Sequence, residues 1–166
     1  MEKISRTFIL VTWMFSSTCF ADNLILSTNL KVEYPAPLLI SHGSSDLIVK
    51  YKNWTFEHVV IDPKNIFQQI DLTGLERDYF KSVFDKKERS KLPEWLAVVA
   101  KEQADVLGVN PDSIKRFHVG KAEIFTVHDK KNTGRVYVFD ELAIHQFTVL
   151  GSNKELEIIS NGIKER

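Results

Sequence analysis

Downstream of residue 21, apolar and polar residues first alternate with the two-residue period of strands. Leu30-Lys31-Val32-Glu33-Tyr34 is the clearest run, and Leu38 to Ile40, Leu47 to Tyr51 and Thr55 to Ile61 follow. Pro35, Pro37, the stretch 42–46 and Asp62-Pro63 separate them with residues that favour turns. The period then changes. Thr73-Gly74-Leu75-Glu76 has the residues of a capping box, and Leu75, Tyr79, Phe80, Val83 and Phe84 recur at helical spacing. After a charged stretch over 85–91, Pro93 stands where a first helical turn tolerates proline. Trp95, Leu96, Val98, Val99, Val106 and Leu107 predict a second helix stopping near Gly108, and the breadth of its apolar face predicts packing on a sheet.

The strand pattern returns over 114–127, 135–139 and 143–150, with turns at 129–134 and at Asp140-Glu141. Three strands joined this way predict an antiparallel meander. Ser152 and Glu155 predict the capping box of a last helix that carries Leu156, Ile159 and Ile163 on one face. Strands and helices are segregated along the chain rather than alternating. The expected fold is therefore α+β, an antiparallel sheet with helices packed on it in a single domain over residues 22–166.

The first 21 residues have a different character. Lys3 and Arg6 precede an apolar run from Phe8 to Phe15, then small polar residues and Cys19-Phe20-Ala21. That order is the one of a cleavable secretory signal peptide, with cleavage expected after Ala21. The apolar run falls short of the roughly 20 residues that span a bilayer, so no membrane insertion is expected after cleavage. Acylation of Cys19 is the rival reading, but Ser16 and Thr18 stand where a lipobox has Leu and a small residue.

Without that segment the chain has no cysteine and must fold without disulfides, which fits a bacterial periplasm better than a eukaryotic secretory route. The expected location is therefore periplasmic or secreted. Setting Glu2, Lys3 and Arg6 aside removes two bases and one acid from the 22 of each, leaving a net charge near −1. Nucleic acid, which calls for a basic excess, is not an expected partner. Asn53-Trp54-Thr55 matches the glycosylation triplet, a pattern short enough to arise by chance.

Tyr34-Pro35 just after the first strand, the antiparallel run to Ile61, a helical middle and the closing strands and helix together resemble the PsbP-like α/β/α sandwich family. The close runs through Phe147-Thr148-Val149-Leu150-Gly151 and Leu156-Glu157-Ile158-Ile159-Ser160-Asn161-Gly162-Ile163. The resemblance covers most of residues 22–166 and rests on element order. It implies a non-enzymatic accessory protein that binds another protein.

Several groups invite a chemical reading. Ser41-His42-Gly43-Ser44-Ser45-Asp46 holds the residue types of a serine hydrolase, but triads assemble from distant segments and the nucleophile-elbow pattern is missing; a turn is expected there. His42, His58, His118, His128 and His145 show no local metal-ligand spacing. Simple alternation along 114–127 places His118 and His128 on one face, where they and His145 would be metal candidates beside Glu123 or Asp140. No cofactor is expected. Lys86, Lys87 and Arg89 form the one local basic concentration, and Trp95 stands close enough to add an aromatic anchor to a docking patch for an acidic partner.

The expected function is that of an exported, non-catalytic interaction protein of the bacterial cell envelope. An inhibitor or immunity protein that binds a secreted hydrolase or effector would suit such a chain. The alternative is a secreted hydrolase or metal-dependent enzyme built on the histidines and a nearby acid.

Overall fold

The structure is a computed structural model that describes residues 21–66, 72–109, 114–129 and 132–166. The predicted signal, with Cys19, lies outside the described residues except for Ala21, as do Lys130 and Lys131 of the predicted 129–134 turn. Among the described residues ten strands and five helices follow in order: β1 (Ala21–Ile25), β2 (Leu30–Pro35), β3 (Leu39–His42), β4 (Asp46–Lys50), β5 (Thr55–Ile61), α1 (Pro63–Ile66), α2 (Glu76–Phe84), α3 (Lys86–Arg89), α4 (Glu94–Val106), β6 (Ile114–Val119), β7 (Ala122–Asp129), β8 (Thr133–Phe139), β9 (Ile144–Leu150), α5 (Asn153–Gly162) and β10 (Ile163–Glu165).

The strands make two antiparallel sheets. The larger has seven strands in the order β3-β4-β5-β9-β8-β7-β6, and the smaller has three in the order β1-β2-β10. The α+β expectation holds, with helices on the large sheet. Because side chains alternate across a strand, each face of the large sheet feeds its own core. One face presents Val49, Phe56, Ile124, Val136, Phe147 and Val149 to β2 of the small sheet and to Leu156 and Ile159 of α5. The other presents Ile61, Phe125, Tyr137, Phe139 and Ile144 to α2 and α4. The order of layers is helices, large sheet, then small sheet with α5 beside it.

Several local expectations are corrected. The run 114–127 is two strands, not one, reversed at Gly120-Lys121, so the closing meander has four strands. β2 does not join the strands that follow it; it pairs with β1 and β10. The Thr73–Glu76 capping box is not formed: α2 starts at Glu76 with Leu75 as its N-cap and no side-chain cap, because Thr73 and Gly74 both take positive φ, 45° and 87°. The Ser152–Glu155 box is formed. Ile163 is buried but begins β10 instead of ending α5, since its backbone pairs with Val32.

Helix α4 ends as Gly108 predicts. Val109 N–H donates to Ala104 and Gly108 N–H to Asp105, at 2.8 and 3.1 Å, with Gly108 at φ 67°. These two bonds make a Schellman ending, which needs a left-handed residue at the position glycine holds. Leu96, Ala100 and Ala104 of α4 join one core with α2 and with Phe125 and Val127 of the sheet, but they make up only part of its apolar surface; the rest is described next.

Candidate interaction surface

Leu96, Ala100 and Ala104 recur at four-residue spacing and are buried, which fixes the inward face of α4. At 100° per residue, Trp95, Val98, Glu102 and Val106 then fall within one outward stripe. Trp95 is 56 % exposed, Val98 52 % and Val106 84 %. Only Glu102 interrupts the apolar run, and half-buried Val99 flanks it. The helix is apolar on two opposite faces, one satisfied by α2 and one open to solvent. Large apolar side chains gathered in a contiguous exposed patch mark interaction sites more often than single ones do.

Beside this stripe lies α3. Asp85 caps it by accepting from Lys87 N–H at 2.8 Å. Lys86 and Lys87 point to solvent and, among the described residues, make no ion pair. Arg89 has a different role. Its guanidinium donates to the Ser82 and Val83 carbonyls at 3.0 and 2.8 Å, so it closes the C-terminal end of α2. Of the predicted patch, Lys86, Lys87 and Trp95 are therefore free to meet a partner, and Arg89 holds the framework under them.

A cleft of about 410 Å³ opens between this helical layer and β6–β7. Phe84, Val109, Ile114 and Phe125 form its apolar floor, and Lys86 and Lys101 stand on its rim. One wall is an ion network. Glu123 is buried and pairs with Lys81 of α2 and Arg116 of β6, while Arg116 also reaches the buried Asp85 and covers the Phe125 ring at 5.5 Å. Two buried carboxylates between two cations keep the charges compensated, as low dielectric demands. The network ties α2 to the outer strands and fixes the cleft's shape.

The structure disperses the metal candidates. The Gly120-Lys121 reversal sets His118 opposite Glu123, at 3.9 Å, on the helix-side face. His128 lies five residues beyond Glu123 and so faces the other way, where its Nδ1 is buried without a hydrogen-bond partner. His145 shares that face with His128. Their neighbours on β8 are Val138 and Gly134, four residues or roughly 13 Å apart along the strand. No three metal-ligating side chains converge among the described residues. The Ser41–Asp46 stretch spans the end of β3, a turn over 43–45 and the start of β4, with Gly43 N–H donating to the Asp46 carbonyl.

Sequence spacing missed one pairing. His58 of β5 and His145 of β9 stack with ring centroids 5.4 Å apart, and His58 Nε2 lies 3.1 Å from His145 Nδ1. One ring donates and the other accepts. Burial, with His145 adding to it, pushes the His58 imidazole down to about 4, and burial lowers His145 too, against the pull of Asp140. Both rings are neutral at pH 7. Only the β5–β9 register, which sets His58 against Phe147 and Val60 against His145, brings residues 87 apart in sequence together.

No helix among the described residues is long and apolar enough to cross a membrane. No family model, curated protein or solved structure matches the chain.

Proposed function

We propose that this is an exported protein of the bacterial cell envelope that acts by binding another protein through the α3–α4 surface, in the manner of an inhibitor or immunity protein. The exposed stripe of Trp95, Val98 and Val106 carries this reading. A tryptophan flanked by valines supplies a broad apolar contact, and Lys86 and Lys87 of α3, which make no ion pair among the described residues, favour a partner with acidic groups where it meets α3. The predicted signal places both proteins outside the cytoplasm.

The test is quantitative capture. Exported protein immobilised as bait is presented with periplasm and culture medium, and the affinity of what binds is measured for the wild type and for Trp95→Ser, Val98→Ser and Lys86→Glu variants. A stoichiometric partner is expected whose Kd rises roughly 30-fold or more with Trp95→Ser, the size of a central aromatic anchor. Lys86→Glu should slow association and lessen its salt dependence. Binding that is unchanged in all three variants, or no binding at all, refutes the assignment of this surface.

A further inference from the structure

The large sheet has two edges of opposite character. At one edge β6 carries Lys115, Arg116 and His118 and lies beside β10 of the small sheet. At the other, β3 has among the described residues a strand neighbour on its β4 side alone. Every residue of β3 is exposed and none is Asp, Glu, Lys or Arg. Leu39 is 57 % exposed, Ile40 47 %, and Leu38 just before them 73 %. Ile48 of β4 extends the apolar strip beside Ser41. A strand edge leaves backbone N–H and C=O groups unpaired, and proteins that keep such edges single guard them with charge, proline or a bulge. Within β3 there is no charge, proline or bulge; its length of four residues is the one such guard it has.

We propose that β3 is the two-fold interface of a homodimer, in which the β3 strands of two copies pair antiparallel and join their large sheets into one. The occupant follows from the charge pattern. A two-fold interface sets a strip against itself, so it must be self-complementary. On β3 a register centred on Ile40 places Ile40 opposite Ile40 of the partner subunit and Leu39 opposite Ser41 of the partner subunit, with no like charges meeting. The same operation centred on Arg116 of β6 would set that guanidinium against its own copy and repel. Pairing supplies partners for the free backbone groups and removes Leu38, Leu39 and Ile40 from water. Four residues cover far less than the roughly 1,600 Å² of a standard interface, so the dimer forms in the micromolar to sub-millimolar range.

Sedimentation velocity on the purified exported protein, from low micromolar to millimolar concentration, tests this against two variants. The wild type is expected to shift from monomer to dimer, with amides of Leu39 to His42 gaining protection from hydrogen exchange as it does. Ile40→Lys should weaken that association by roughly tenfold or more, as an inward charge on a strand edge does, while circular dichroism shows the fold retained. Val106→Lys, on the exposed face of α4, should leave the dimer unchanged; it reports on partner binding alone, so the two surfaces fail or stand separately. A wild type that stays monomeric throughout, a dimer that persists in Ile40→Lys, or open-ended assembly beyond the dimer overturns the proposal.

Discussion

His58 and His145 form a neutral, hydrogen-bonded pair against the Phe147 ring, and neutrality is a condition of the folded state alone. In the unfolded chain both take the ordinary histidine value near 6.5. The folded values are lowered, so between about 6.5 and the folded His58 value of about 4 the unfolded state binds more protons. The stability this neutrality preserves is fully present above pH 6.5 and is lost progressively as pH falls towards 4. For His58 the loss reaches at most about 3 kcal/mol. Chemical denaturation at a series of pH values should show this decline in the wild type and a distinctly flatter one in His58→Leu. Parallel declines in the two proteins would show that the pair does not set the pH response.

Among the elements, α5 owes its position to a glycine at its end. A Cβ on Gly162 would lie 2.1 Å from the Glu33 carbonyl oxygen of β2, a backbone atom that cannot swing aside. The helix can approach the small sheet this closely, and Ile163 can turn directly into β10, because that position has no side chain. Gly162→Ala should therefore push α5 away from β2 and cost about 1–3 kcal/mol, lowering Tm by roughly 3–10 °C for a domain of this size. An unchanged Tm would show that the contact relaxes without cost. Helix α4 shows the opposite relation of sequence to packing. Its Gly108 ending was legible because glycine in the left-handed region is a local requirement, whereas its outward stripe looked like more core, since a valine or tryptophan carries no mark of the side it faces.

At the scale of the whole molecule, one sheet serves two cores. Phe56, Phe147 and Val149 belong to one, and Tyr137, Phe139 and Ile144 to the other, often as neighbours on the same strand. Neither core can dissolve without stripping one face of strands that the other needs, so unfolding should be a single cooperative transition. Trp54 packs against the first core and Trp95 is exposed, so in a background with Trp13→Phe and Trp95→Phe, which leaves Trp54 as the one tryptophan, its fluorescence reports on the small-sheet side. Its denaturation midpoint should coincide with that of far-ultraviolet circular dichroism, which sees both sides. Separate midpoints would show that the helical layer opens independently.

The two-residue and 3.6-residue periods determined most of the elements, because both depend on contacts a few residues away. They also determined the α+β class, through the grouping of strands and helices, and the Ser152 cap, whose partners lie within one turn. Tertiary structure decided what depends on distant residues. It placed β2 in a separate sheet with β10, set His118 and His128 on opposite faces through the Gly120-Lys121 reversal, and joined His58 to His145 by register. It also decided which apolar residues stay in water: Trp95, Val98 and Val106 on α4, and Leu38 to Ile40 at the sheet edge. Burial is a property of the surroundings, and a hydrophobic side chain reads the same in the sequence whether its neighbour is a core, solvent or another protein.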